Sequence, residues 1–169
     1  LPMQTISENN IKEIFSSLPD HSRVWVYQSE RFLAPHEVNA INEEANRFVA
    51  GWNAHGTPLR AKIAVLENLF LIVMVDEEHA KASGCSIDKS LQFVKEVENY
   101  LGASLTNRMK VAVSVDGKII IADLNKLADL KSQGIKQVVL DLRGNGGGLL
   151  IEAVRIVNLF VKKGQIIVT

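Results

Sequence analysis

The chain has 169 residues and a mass of 18.7 kDa, with 47% hydrophobic and 22% charged residues. A globular chain of this size buries roughly 70% of its unfolded surface, so neither disulfides nor a structural metal are needed for folding. Its 19 basic and 19 acidic residues cancel, which argues against nucleic acid as a partner, and the single cysteine, Cys85, excludes a disulfide framework and any multi-cysteine metal site.

In chain order, Ser7 is the expected N-cap of a short helix carrying Ile11, Ile14 and Phe15 and ending before Pro19. Arg23 to Gln28 reads as a strand, because β-branched and aromatic residues dominate it. Ala34-Pro35 opens a helix whose Val38, Ile41, Ala45, Phe48, Val49 and Trp52 recur at helical spacing; Gly51 and the Asn53–Gly56 stretch end it. Two apolar segments, Lys62–Leu66 and Leu69–Val75, are separated by Glu67-Asn68, the spacing of a β-hairpin. Ser86 or Asp88 is the expected cap of the next helix, with Ile87, Leu91, Val94 and Val97 towards the core. Lys110–Val115 and Lys118–Ala122 flank Asp116-Gly117, a strong hairpin signal.

This order predicts an α+β fold with an antiparallel sheet and helices over residues 1–122. From Asp123 the grammar changes to helix, strand, glycine loop, helix, strand, as in α/β crossovers. Leu124, Leu127, Ala128 and Leu130 share a helical face, and Gly134 falls at its C-terminal cap. Val138–Leu142 is the strand, Leu149 to about Val161 a second helix presenting Leu150, Val154, Val157 and Phe160, and Gln165–Thr169 the next strand. The expected domains are therefore 1–122 and 123–169.

Four glycines stand within positions 144–148. Between a strand and a helix they permit positive φ and close approach to the backbone amides. The dinucleotide and P-loop spacings are not met, which leaves an oxyanion site built from amides or a plain turn. Lys126–Thr169 resembles the core of the carboxy-terminal processing (tail-specific) serine peptidases. The matching residues are Leu140-Asp141-Leu142-Arg143-Gly144-Asn145, then Gly147-Gly148-Leu149-Leu150, then Glu152-Ala153-Val154. Gly146 stands where members usually carry proline or glycine. The resemblance implies a serine nucleophile, a lysine base, a polypeptide substrate, and Gly147 and Gly148 as oxyanion-hole donors, with Asp141, Arg143, Gly144, Asn145 and Gly146 shaping the turn. In that family nucleophile and base follow the strand that begins near Gln165, so the 169 residues are expected to be inactive alone. Lys162 and Lys163 sit at a helix C-terminus, where cations oppose the dipole. No upstream peptide-binding PDZ domain is recognisable.

Residues 18–113 resemble a different group, on three segments: Leu18–Gln28, Trp52–Leu59 and Ala82–Ser90. This is a small uncharacterised bacterial family labelled as ABC-transporter ATPase-like. The Gly84–Ser90 stretch lacks the glycine before the lysine, is one residue short of a P-loop, and places the Asp88 carboxylate where phosphate would sit. ATP hydrolysis is therefore rejected. The alternative reading of the chain is a non-catalytic α/β module binding an unknown protein partner through residues 18–113. A third is a chimera of two reading frames joined near residues 116–126.

Other constellations carry plainer readings. Asp20-His21-Ser22 holds the residue types of a hydrolase triad, but sequence neighbours cannot form its hydrogen-bond chain, so a polar turn is expected. His36, His55, His79 and Cys85 lack a short metal-ligand spacing, and neither metal nor cofactor is expected. Cys85 is read as a small buried residue or a low-pKa thiol near a helix start. Trp25 and Tyr27 are expected in the core, and Asp76-Glu77-Glu78 in a solvated loop rather than a cation site. The longest apolar run, Leu69–Val75, is far short of the ~20 residues that span a bilayer. The expected location is cytoplasmic for the chain as given, and periplasmic or membrane-associated for a full tail-specific peptidase.

Overall fold

A computed structural model describes residues 13–115 and 117–124, together with the helical positions Val154 and Val157. The fold of the described residues is α+β, and all their strand pairs are antiparallel. Strands β1 (Arg23–Gln28), β4 (Arg60–Leu66) and β5 (Phe70–Asp76) form a sheet in the order β1-β5-β4. Between β1 and β4 come helix α1 (Pro35–Gly51) and the short strands β2 (Asn53–Ala54) and β3 (Thr57–Pro58). Helix α2 (Gly84–Leu101) follows β5, and β6 (Lys110–Val115) pairs with β7 (Lys118–Asp123) in a separate hairpin.

Register explains the two faces of the main sheet. Trp25 lies opposite Val73, and Val73 opposite Ile63; two residues along, Tyr27 meets Leu71, and Leu71 meets Val65. Side chains alternate along a strand, so this set shares one face. It packs with Ile41 and Ala45 of α1 and with Phe93, Val94, Val97 and Leu101 of α2 as the main core. Trp25 and Tyr27 thus belong to the core, as expected. The opposite face carries Ala64 and Ile72 packed on Phe15, with Ile14, Leu66, Phe70 and Met74 around them. Val24 and Val26 share that face but remain 46% and 60% exposed.

The β4–β5 hairpin turns at Glu67-Asn68, both at positive φ (53° and 52°), closed by the Leu69 N–H to the Leu66 carbonyl at 3.0 Å. Two consecutive left-handed residues match the right-handed twist of the flanking strands. The Asn53–Gly56 stretch, read from sequence only as a helix terminator, is itself a hairpin arm: His55 and Gly56 are the left-handed turn between β2 and β3.

Helix α2 starts earlier than expected. Ser83, not Ser86 or Asp88, is the N-cap, its Oγ accepting the Ser86 N–H at 3.3 Å. Ser86 is buried one turn inside the helix, where its hydroxyl donates to the Ser83 carbonyl at 2.8 Å. Ser90 repeats the arrangement with the Ile87 carbonyl. Because these hydroxyls are satisfied by backbone, the serines can join the apolar stripe with Phe93, Val94, Val97 and Leu101. The stripe is rotated from the expected one, and Leu91 faces solvent. Ser83→Ala is expected to cost about 1 kcal/mol in urea unfolding, whereas Ser86→Ala, which frees only a local carbonyl bond, should cost less than half of that.

Ser7, Ile11 and the strand and glycine loop expected after residue 124 lie outside the described residues. Val154 and Val157 are helical, as expected of the second helix, although Val157 lies towards solvent.

Candidate functional site

Asp141, Arg143 and Gly144–Gly148, the residues proposed from sequence to form or shape the oxyanion loop, lie outside the described residues. His21, His55, His79, Cys85 and the Asp76-Glu77-Glu78 triplet, also singled out from sequence, lie on the elements around the end of the sheet where β5 leaves it.

There the loop from Asp76 to Ser83 separates two electrostatically different sides. On one side stand its acids. Asp76 is buried rather than solvated as expected: its side chain accepts from Arg60 Nη1 at 3.2 Å and from the Glu78 N–H at 3.0 Å. Arg60 in turn donates to the Ser17 carbonyl at 2.7 Å. Glu77 accepts from Arg23 at 3.4 Å and from the Ala82 N–H at 3.1 Å. Glu78 pairs with His21 at 3.2 Å. Of the triplet, Glu77 and Glu78 lie in a turn and Glu78 is exposed, as expected; Asp76 departs from the expectation because its partner Arg60 is distant in sequence. His21, Asp76 and Glu78 place ligand atoms within 4.8 Å of one another, but Asp76 already has a donor on each oxygen and Arg60 holds a positive charge against it. The arrangement anchors the loop by ion pairs. His21 also lies in the expected polar turn, closed by the Ser22 N–H to the Pro19 carbonyl at 3.0 Å.

On the other side the same loop faces the β2–β3 hairpin across an open cleft of about 400 Å³. His55 and Thr57 line it from the hairpin, and His79, Lys81 and Ser83 from the loop, over a floor that includes Ala54. Its walls are held by Trp52, whose indole N–H donates to the Ser86 carbonyl at 2.9 Å and whose carbonyl accepts the Leu59 N–H at 3.0 Å. Residues from two of the three segments that single out positions 18–113 thus meet here. Lys81 was not among the residues chosen from sequence; its signal was its place beside the Ala82–Ser90 segment.

Cys85 is exposed at the second residue of α2, which overturns its reading as a small buried residue. The Gly84–Ser90 stretch is helix rather than a phosphate-cradling loop. His36 lies in the first turn of α1, away from both sides of the loop. A second groove, of about 300 Å³, runs between α1 and α2 over Phe93 and Val97, with Glu43, Glu44 and Glu96 at its rim.

Among the described residues no helix is long and apolar enough to cross a membrane. Comparison with known proteins places a family description on one part of the chain: the model of peptidase family S41 matches residues 123–169. A probable CtpA-like serine protease of Staphylococcus saprophyticus is 30% identical over 126 residues, covering 71% of this chain and 24% of the relative. Proteins of the same name from Staphylococcus epidermidis and Staphylococcus aureus are each 36% identical, over 80 and 87 residues. These cover 47% and 49% of this chain, and 15% and 18% of the relatives. The chain therefore spans less than a quarter of the length of these curated relatives. No solved structure matches. The chain resembles a fragment of the carboxy-terminal processing peptidases, and the likeness is longer than the sequence reading gave it. A match over 71% of the chain must take in much of the region before residue 123.

Proposed function

We propose that residues 123–169 supply the oxyanion-loop element of a tail-specific serine peptidase acting on polypeptides. The match of the S41 family model to this segment carries the reading, and the relatives named as CtpA-like serine proteases support it. In this reading the amides of Gly147 and Gly148 stabilise the negative oxygen that develops as a peptide carbonyl is attacked. Such donors work because they are aimed in advance and exclude the reorganisation that water would require. Asp141, Arg143, Gly144, Asn145 and Gly146 shape the bend that presents them. The serine and lysine of the family come from chain beyond the strand starting near Gln165. A full peptidase of this kind would work in a periplasmic or membrane-associated setting.

The test uses two proteins. The 169-residue polypeptide alone is expected neither to hydrolyse unstructured peptides nor to react with a fluorophosphonate serine probe. Extended by the segment that follows the matched region in the Staphylococcus aureus relative, it is expected to turn over peptide in a serine-dependent way. In that extended protein, Gly148→Pro removes one amide donor and should lower kcat about 10²–10³-fold. Turnover by the short polypeptide, or an extended protein indifferent to Gly148→Pro, would overturn the proposal.

A further inference from the structure

We infer that the cleft between the β2–β3 hairpin and the β5–α2 loop is a binding site for a small oxyanion, a phosphate group or its equivalent on a larger molecule. This inference is independent of the oxyanion-loop reading, because every residue it uses lies before residue 123, outside the segment that the S41 family model matches.

The carrying observation is the sorting of charge across a single loop. Asp76, Glu77 and Glu78 all turn to one side, where Arg60, Arg23, His21 and two backbone amides hold them. The side facing the cleft keeps His55, His79 and Lys81, and no acid lines it. None of these three side chains has a hydrogen-bond or ion-pair partner among the described residues, although other basic side chains close by, His21, Arg23 and Arg60, are all paired. Lysine is cationic at neutral pH, and an imidazole N–H is a hydrogen-bond donor to an anion. The Thr57 hydroxyl adds a neutral donor.

The positions are also built rather than incidental. His55 sits at φ 50°, a conformation that β-carbon-bearing residues rarely adopt, at the tip of a two-residue turn. That turn is fixed to α2 through the Trp52–Ser86 bond. On the facing wall, the Glu77 carboxylate accepts from the Ala82 N–H at 3.1 Å and so pins the loop backbone next to Lys81. A cleft of about 400 Å³ exceeds the size of the ion alone, which is why the phosphate group is inferred as the anchored part of a larger molecule.

The titratable side chains on the three elements around the cleft are His55 on the hairpin, Asp76 to His79 and Lys81 on the loop, and Cys85, Asp88 and Lys89 at the start of α2. Of these, only His55, His79 and Lys81 line the space.

The experiment follows imidazole resonances in the full chain by NMR during titration with inorganic phosphate at low ionic strength. Expected is a saturable shift of His55 and His79 by about 10 mM, within what a five-atom ion can gain, with His36 unmoved. Lys81→Gln and His79→Gln should each weaken binding several-fold, and His55→Asn should do the same while keeping a residue that tolerates left-handed backbone. Unaltered tryptophan fluorescence would show that the variants fold. Shifts that do not saturate, that appear equally at His36, or that survive the three substitutions together would overturn the inference. A phosphomonoester that binds more tightly than inorganic phosphate identifies the larger ligand class, whereas equal affinity identifies the free ion.

Discussion

Trp52→Ala is expected to destabilise the described domain by about 3–5 kcal/mol, as measured by urea unfolding, because it removes a large aromatic group and leaves a cavity. Trp52 is only 2% exposed, and three elements meet on it. It ends α1, its N–H bonding the Val49 carbonyl at 3.1 Å. Its ring lies against Phe48, centroids 5.2 Å apart, and Phe48 stacks on Phe93 of α2 at 4.9 Å. Its indole N–H reaches the Ser86 carbonyl. Domains of this size are stable by about 5–15 kcal/mol in total, so the loss is a large share. Trp52→Phe separates the terms. It keeps most of the ring volume and loses the single hydrogen bond, for about 1–2 kcal/mol. If both variants lost the same stability, the indole bond rather than packing would hold the domain together. Because the hairpin carrying His55 hangs on this residue, Trp52→Phe should also loosen the cleft without unfolding it.

The elements with a periodic apolar pattern were the ones legible in the sequence. Strand β1 falls at Arg23–Gln28 as read, and α1 follows Ala34-Pro35 with Ile41 and Ala45 inside. Both longer hairpins follow from their turn residues. What failed was local polar chemistry. Serine is a capping residue by habit, so Ser86 looked like a helix start; in fact Ser83 takes that role and Ser86 buries its hydroxyl against a carbonyl. A stripe that includes serines cannot be found by counting apolar residues, and Leu91 was placed inward for that reason.

The cleft was legible in pieces only. Trp52–Leu59 and Ala82–Ser90 stood out as segments, but nothing in a linear chain says that a two-residue hairpin at His55-Gly56 brings the first against the approach to the second. Asp76 departed from its expected solvated loop for a related reason. Burial of Asp76 depends on Arg60, sixteen residues away, and a carboxylate is rarely fully buried unless it is paired. Residues 123–169 are the reverse case, since that segment as a whole matches a peptidase family from sequence.

Glu37→Gln is expected to remove a large share of the acid-sensitive part of the stability curve. The Glu37 carboxylate accepts both Arg31 guanidinium nitrogens, at 2.7 and 2.9 Å, and the Ala34 N–H at 2.8 Å. Ala34 has no side-chain acceptor of its own, so Glu37 alone caps the start of α1. Arg31 also donates to the Leu101 carbonyl at 2.9 Å, tying that start to the end of α2. The Arg31 hydrogen bonds, helped by the Ala34 amide, lower the Glu37 pKa to about 2. The folded state thus holds its proton less tightly than the unfolded chain, where glutamate titrates near about 4.3. Stability from this group is complete above the unfolded value and disappears as pH falls towards about 2. At pH 7 the substitution should cost about 1.5–3 kcal/mol, the range for hydrogen bonds to charged groups. Arg31 is 42% exposed and Glu37 14%, and solvent screening of the arginine favours the lower end. Urea unfolding of both proteins from pH 7 to pH 2 should therefore show curves that converge below pH 4. Parallel curves would mean that the pair contributes geometry but no net charge interaction, and that the acid limb originates elsewhere. Glu98 is the natural second source, since its carboxylate gathers the Leu105 and Thr106 amides and the Ser104 and Thr106 hydroxyls. Its burial opposes ionisation, but those hydrogen bonds outweigh it and hold its pKa below the ordinary value, so Glu98→Gln in the Glu37→Gln background should flatten what remains.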